Sequence, residues 1–280
     1  MIVRHKGVYN LHPLTHFSVG LMLVLVWTSK FQNMTVFYSL SIMCWLLLTT
    51  ASQLLNATRP PSHELFDQLL KKYVTADGLV SYKGFIADSL ILNQYLDTLA
   101  AHPPDTSWQD MEEIAYWINT YNASTIRLVI RNYPILSVRD MGGQLKKIKT
   151  PRDFKFIRIG NEIFSLNQIE NQKLLNTFDE PRVLFAINMA ARGCPNLRNH
   201  IYSASKLDRQ LEDQVRTFLH DSTKNKVTEH HAELSKIFQW HRGDITKNSS
   251  FEGFIARYAP DIITFDTVVE YLDFDWSLNE

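Results

Sequence analysis

The stretch Met111–Arg131, MEEIAYWINTYNASTIRLVIR, decides how this chain folds. Its apolar residues recur with the period of a helix and Tyr133-Pro134 follows directly, so the pattern predicts one long helix. The predicted core stripe consists of Ile114, Ile118, Tyr121, Thr125 and Leu128. Asn119 and Asn122 lie one turn apart beside that stripe. Each buried amide costs about 1–3 kcal/mol unless it is hydrogen-bonded, so the two asparagines either tie the helix to a loop or line a site.

A second stretch, Phe185–Pro195 (FAINMAARGCP), also combines polar groups with apolar sequence. Residues 183–191 are apolar all round, which predicts a buried element, and we prefer a helix. Cys194 has two possible surroundings. A helix ending at Gly193 would leave the thiol near the negative end of the helix, whereas a turn opened by Pro195 would offer it free N–H groups that favour a thiolate.

Composition limits the classes of function. The chain has 280 residues, of which 45% are hydrophobic, enough for a substantial core. Lysine plus arginine and aspartate plus glutamate both number 29, and this balance argues against a nucleic-acid partner. Cys44 and Cys194 are the two cysteines, so a disulfide framework is excluded.

The first 55 residues differ from the rest and predict a signal peptide or membrane anchor. Residues 17–27 and 36–48 are apolar runs without the polar face of a soluble amphipathic helix, and Arg4 and Lys6 precede the first run. A linker, NATRPPS, occupies residues 56–62. We therefore expect one domain over residues 63–280. It is expected in the cell envelope, either exported or anchored on the outer side of the membrane. The membrane is the expected partner of the apolar segment.

The periodicity after the linker predicts an α+β fold, mainly helical, with short strands and a β-hairpin. Predicted helices cover residues 65–73, 86–99, 111–131, 166–178, 183–191, 206–219 and 251–258. Predicted strands cover residues 79–82, 154–159, 162–165, 226–229 and 234–238. Gly160-Asn161 is a two-residue hairpin signal between the second and third of these strands. Asp273 and Asp275 are interpreted as part of a solvated chain end.

The candidate catalytic residues are Cys194 as nucleophile and Glu170 as general acid, base or orienting group. The candidate substrate-binding residues are Asn119, Asn122, Asn188 and Arg192. The alternative for Cys194 is a small buried apolar residue, and for Glu170 a surface or salt-bridged carboxylate, with Arg182 as a possible partner. Histidines follow Cys194 in the sequence, but no spacing singles one out as its base.

No metal or cofactor is expected. The run Glu229–Glu233 (EHHAE) lacks the histidine pair four residues apart that binds zinc on a helix, and adjacent histidines in a strand face opposite ways. Phosphate loops, dinucleotide fingerprints and the GxSxG elbow are also absent from the sequence.

Several motifs, in order, resemble the family known as domain of unknown function 547. They are Tyr116–Ala123 (YWINTYNA), Ser165–Glu170 (SLNQIE), Asp179–Arg182 (DEPR), Phe185–Pro195 (FAINMAARGCP), Leu234–Phe238 (LSKIF) with Trp240, and Phe274–Asn279 (FDWSLN). The resemblance covers about residues 62–280 and implies a domain of bacterial envelope proteins and plant proteins, without a reaction to carry over. Members often have a histidine where this chain has Asn171 and a second cysteine where it has Met189, which weakens a cysteine–histidine dyad.

Two functions of different classes therefore remain open. One is a cysteine-dependent hydrolase or acyl transferase of the envelope. The other is a non-catalytic module that binds a ligand or a partner there.

Overall fold

The computed structural model describes residues 59–141, 150–228, 231–260 and 266–280, which belong to one compact unit. The predicted leader or anchor over residues 1–55, including Cys44, lies outside the described residues. Among the described residues, none of the helices combines the length and apolar character required to cross a bilayer.

Helices dominate the described part of the chain, with short strands between them, so the predicted α+β class is confirmed. The α-helices are α1 (Glu64–Tyr73), α2 (Tyr82–Ala87), α3 (Ser89–Ala101), α4 (Asp110–Asn132), α5 (Leu166–Gln168), α6 (Leu207–Leu219), α7 (Lys236–Trp240), α8 (Arg242–Ile245) and α9 (Phe251–Tyr258). The α5 helix continues as a π-helix, Ile169–Leu175. Short 3₁₀ helices cover Val138–Asp140, Pro151–Asp153, Pro181–Phe185 and Ala204–Lys206.

The strands form two small sheets. Strands β1 (Ile157–Ile159) and β2 (Glu162–Phe164) pair antiparallel around the predicted Gly160-Asn161 turn, where Gly160 has a φ of 57°. Strands β3 (Lys226–Val227), β4 (His231–Leu234) and β5 (Val268–Tyr271) form a sheet in that order, β3–β4 antiparallel and β4–β5 parallel. The hairpin prediction is confirmed.

Helix α4 is the centre of the domain. It contributes a long run of buried residues, from Ile114 to Ile126, and the predicted stripe faces the core except for Leu128, which is partly buried. The carboxylate of Glu112 accepts the N–H of Gln109 at 2.8 Å and so caps the first turn. The predicted helix over 111–131 is confirmed to within a residue at each end.

Two predicted strands are wrong because serine caps start helices there. In residues 79–82 only Val80 forms a bridge, to Val74, and the Ser81 hydroxyl then accepts the N–H of Gly84 to begin α2. In residues 234–238 the strand ends at Leu234, and the Ser235 hydroxyl accepts the N–H of Ile237 at the start of α7.

The preferred helix over residues 183–191 is also wrong. One 3₁₀ helix ends at Phe185, and an irregular loop follows. Ala190 in this loop has a φ of 64°, in the left-handed region, where a helix cannot continue. The backbone groups of the loop bond instead to the side chains of Asn122 and Asn188 and to the C-terminal tail, so a helix is not required to satisfy them.

The C-terminal tail is part of the core and not a solvated end. Leu278 and Asn279 are buried, Leu278 forms a bridge with Ala191, and Ser277 forms a bridge with Ser137. The Asn279 carbonyl accepts the N–H of Val80 at 2.9 Å. Asp273 and Asp275 themselves remain exposed.

Candidate functional site

An open cleft of about 940 Å³ lies beside the loop that contains Cys194. Its walls come from four parts of the chain: residues 77–79, the loop 188–196, residues 221–226, and strands β4 and β5 with the tail that follows. Most of the lining residues are polar or charged. The volume is within the usual range of small-ligand pockets, about 300–1,000 Å³.

The Asn188 side chain shapes the loop from inside. Its amide donates to the Pro195 carbonyl at 2.7 Å, and its oxygen accepts the N–H of Ala190 at 2.7 Å. The side-chain amide of Asn279 reaches the same oxygen at 3.3 Å. These bonds hold Ala190 in its left-handed conformation, a strain that often occurs at functional sites. Asn188 therefore lines the cleft with both of its polar atoms already bonded.

The glycine at 193 allows the tail to pass close to the loop. A Cβ at this position would lie 3.0 Å from the backbone nitrogen and oxygen of Asp275. The Gly193 N–H donates to the Asp275 carbonyl at 2.9 Å, so the two segments run in direct contact. This close approach, and not the φ of residue 193, favours glycine here, because a Cβ would require the backbone at Asp275 to shift.

Cys194 is in the wall of the cleft but is only 1% exposed. Its sulfur accepts the Met189 N–H at 3.4 Å. Burial raises the pKa of the thiol to about 11, although two backbone N–H groups and the charges of Arg152 and Lys224 act in the opposite direction. Neither predicted surrounding is present, because residues 186–196 contain no helix end at the thiol.

Arg192 also lines the cleft, and its guanidinium holds the C-terminal tail. It donates to the carbonyl oxygens of Leu278 at 3.3 Å and of Glu280 at 2.7 Å. Its backbone N–H donates to the Ser277 carbonyl at 2.9 Å.

The two asparagines of α4 bond to backbone and do not face the cleft. Asn119 donates to the Tyr202 carbonyl at 2.8 Å and accepts the Tyr202 N–H at 3.0 Å. Asn122 donates to the Ala186 carbonyl at 3.0 Å and accepts the Asn188 N–H at 2.9 Å. These side chains therefore tie helix α4 to loop backbone, which is the first of the two roles that the sequence allows for them.

Glu170 lies in the π-helix and is 4% exposed. It pairs with Arg152, accepts from the Tyr121 hydroxyl at 3.5 Å, and lies 3.5 Å from His241 Nε2. Its partner is thus Arg152, whereas the suggested Arg182 pairs with Glu180, Asp208 and Glu212. Single-turn π-helices are frequent at functional sites.

Glu170 and Cys194 share neighbours but not the cleft. Burial alone lowers the pKa of Arg152, but interactions with Tyr121, Glu170 and Cys194 outweigh it and raise that pKa. Glu170 is not among the residues that line the cleft. Arg152 is therefore the electrostatic link between the two candidate catalytic residues.

Lys224 belongs to the cleft wall, although the sequence does not single it out. Its side chain is 8% exposed, and its ammonium donates to Asn196 Oδ1 at 2.8 Å and pairs with Asp221. Burial would raise the pKa of Asp221, but hydrogen bonds from Lys224 and Thr223 outweigh it and lower that pKa. The run Asp221–Asn225 (DSTKN) looks like a solvated turn, and nothing in it distinguishes a lysine that will be buried under a cleft.

The described residues form a mainly helical α+β domain with an open polar cleft and a buried thiol in its wall. Residues 106–219 match the family model described as "Protein of unknown function, DUF547", and the chain contains a domain of this family over those residues. No curated protein and no solved structure matches the chain. All six candidate site residues lie within the matched segment, while Lys224 and the three-stranded sheet follow it.

Proposed function

We propose that this domain is a binding module that holds a small polar ligand in the cleft beside residues 188–196. The cleft itself is the observation that carries the proposal: four separate parts of the chain contribute polar and charged groups to one open volume of about 940 Å³. Such convergence is the usual property of a ligand site.

The state of the candidate catalytic groups supports binding over catalysis. The Cys194 thiol is buried with its pKa raised to about 11, so little thiolate exists at neutral pH. Glu170 is paired with Arg152, and the amides of Asn119 and Asn122 are bonded to backbone. A nucleophile that works near neutral pH needs the opposite, a lowered pKa and a free base.

The test is ligand-induced stabilisation with a defined set of probes: amino acids, dipeptides and disaccharides at millimolar concentration. A ligand that binds only the folded state raises the melting temperature. Thr223→Trp places a large side chain in the cleft from an exposed position, and Ser222→Trp is its matched control, since Ser222 is exposed and does not line the cleft. We expect a shift for at least one probe that Thr223→Trp abolishes and Ser222→Trp retains. An equal shift in both variants would contradict the proposal.

The second candidate function is a cysteine-dependent hydrolase or acyl transferase. One observation favours it: Cys194 is in the wall of the cleft, and the positive charges of Arg152 and Lys224 favour its thiolate. Glu170 would then act by holding Arg152 in place. The test is hydrolysis of p-nitrophenyl acetate by the wild type and by Cys194→Ser. A Cys194-dependent acyl intermediate would support this function. Equal hydrolysis rates in the two proteins would exclude the Cys194 thiol as the nucleophile.

We also propose that the module works in the cell envelope, tethered or exported through residues 1–55. The proposal is supported by the two apolar runs in that segment and the positive residues before the first of them. Protease treatment of intact spheroplasts tests it. Digestion of the domain from outside is expected, and complete protection until lysis would contradict the proposal.

A further inference from the structure

We propose a binding site for a divalent transition-metal ion of the zinc class at His231, Glu233 and Glu270, on the outer face of the three-stranded sheet. The potential ligand atoms of these residues lie within 4.8 Å of one another. One imidazole nitrogen with two carboxylate oxygens is a ligand set that zinc accepts, with a remaining position open to water or a ligand.

The strand register creates this cluster. His231 and Glu233 are two residues apart on β4 and therefore point to the same face of the sheet. Glu233 is paired directly with Glu270 of the parallel strand β5. The buried residues Ala232 and Leu234 alternate with them and face the core, so the metal-ligating groups are fixed on the solvent side.

The distances leave room for an ion. His231 Nε2 lies 3.6 Å from Glu270 Oε2, close to the ligand–ligand separation of about 3.3 Å that tetrahedral bonds of 2.0–2.1 Å produce. The side chains of His231, Glu233 and Glu270 are 41%, 37% and 66% exposed. Rotation about their side-chain bonds is therefore sufficient to bring the third ligand into place.

The strand register also creates a conflict between two like charges that a cation would relieve. Two carboxylates directly opposite each other in a ladder repel and destabilise the pairing. Within the described part of the chain, neither carboxylate accepts a hydrogen bond: Glu270 has the His231 imidazole at 3.6 Å, and Glu233 has the Lys226 ammonium at 3.8 Å. Both contacts are long, so an ion bound between the carboxylates would compensate their charges at closer range and remove the repulsion.

The proposed metal site borders the cleft, because Glu233 and its neighbour Lys226 line the wall of the cleft. The metal site does not depend on the proposed cleft ligand, since its three side chains suffice to bind the ion. The sequence alone does not indicate this site, because the adjacent histidines face opposite ways in a strand and Glu270 comes from a strand more than thirty residues later.

The test is titration of the full chain, purified without a histidine tag and stripped with a chelator, with zinc chloride by calorimetry. Cobalt(II) absorption provides a second readout of tetrahedral coordination. We expect His231→Ala and Glu270→Gln each to weaken zinc binding by at least about tenfold. The matched controls are His220→Ala and Glu162→Gln, at exposed positions outside the cluster, and both should bind as the wild type does.

Three outcomes would overturn the site. They are no zinc uptake by the wild type, unchanged affinity in His231→Ala or Glu270→Gln, and an equal loss in the controls. Far-UV circular dichroism of each variant establishes that it is folded, which is expected because the replaced side chains are solvent-exposed.

Discussion

The Asn122 side chain on α4 holds the backbone of Asn188, 66 residues later, through a buried hydrogen bond of 2.9 Å. The same amide donates to the Ala186 carbonyl at 3.0 Å. One side chain therefore satisfies a donor and an acceptor of the loop that forms a wall of the cleft. These two bonds therefore tie the central helix directly to the loop.

Replacement of Asn122 by alanine should destabilise the domain by about 2–4 kcal/mol, because it leaves a buried N–H and a buried carbonyl without partners at about 1–3 kcal/mol each. Urea unfolding followed by circular dichroism measures the change. Asn132→Ala is the control: Asn132 lies at the exposed end of the same helix and should change stability by less than about 0.5 kcal/mol. Similar effects of the two substitutions would show that the loop does not depend on this tie.

The left-handed conformation of Ala190 predicts a difference between two neighbouring substitutions. Ala190 and Ala191 are both buried, and glycine at either position loses a methyl group and adds freedom to the unfolded chain. Only Ala190 has a positive φ, which costs a residue with a Cβ about 1–2 kcal/mol. Ala190→Gly should therefore be more stable than Ala191→Gly by about 1–2 kcal/mol in urea unfolding. Equal stabilities would mean that Ala190 is not strained.

Glu170 should be important for stability whether or not it takes part in a reaction. Glu170→Gln leaves the Arg152 guanidinium without its carboxylate partner and should destabilise the domain by about 3 kcal/mol. This value is the lower end for breaking a buried ion pair, because the Arg152 side chain is 26% exposed. His241→Ala should cost less than about 1 kcal/mol, since that contact is longer and the imidazole is partly exposed. Thermal or urea unfolding measures both. A larger effect of His241→Ala would reverse the assignment of Arg152 as the main partner.

The raised pKa of Cys194 predicts how its alkylation depends on pH. In a Cys44→Ser background, the rate with iodoacetamide should rise about tenfold per pH unit from pH 7 to 9 without a plateau, because the thiolate fraction increases up to a pKa of about 11. The unfolded chain, whose thiol has a pKa of about 8.5, should react at least about a hundredfold faster at pH 7. A plateau with a midpoint below pH 8 would instead support the nucleophile.

The sequence predicted those elements that carry their own start and stop signals. Helix α4 has a complete apolar stripe and ends before Pro134, and the β1–β2 hairpin has Gly160-Asn161 between two alternating runs. The loop 186–196 could not be predicted in the same way. Its apolar composition fits a buried helix, and the groups that decide against the helix, Asn122 and Asn279, are distant in the sequence.

The partners of the candidate site residues could not be predicted either, because they also come from distant parts of the sequence. Glu170 could be identified as the candidate carboxylate on the predicted helix over residues 166–178, but its pairing with Arg152 and its contact with His241 depend on how three elements pack. Lys224 gave no signal, because a lysine in a polar turn is normally solvated. The resemblance to the family identified the segment that matters but could not say which side chains face the cleft.

Asp221 beneath the cleft predicts a specific response to acid. Its folded-state pKa is lowered, because hydrogen bonds from Lys224 and Thr223 outweigh the effect of burial. The stability that this carboxylate contributes is therefore fully present above its unfolded pKa of about 3.9 and is lost as the pH falls through its lower folded value. Asp221→Asn should destabilise by about 2–3 kcal/mol at neutral pH, since among the described residues the Lys224 ammonium then keeps Asn196 as its one side-chain partner.

The difference in unfolding free energy between wild type and Asp221→Asn should then shrink as the pH falls below about 4, because protonation removes the same charge from the wild type. Urea titrations at several pH values measure this difference. Other carboxyls with lowered pKa, such as Asp67 and Asp153, are present in both proteins, so their contributions cancel. Asp213→Asn, at an exposed position of α6, is the control and should follow the wild type at every pH. A constant difference down to strongly acidic pH would show that the Asp221 carboxylate is not stabilised by its ion pair with Lys224.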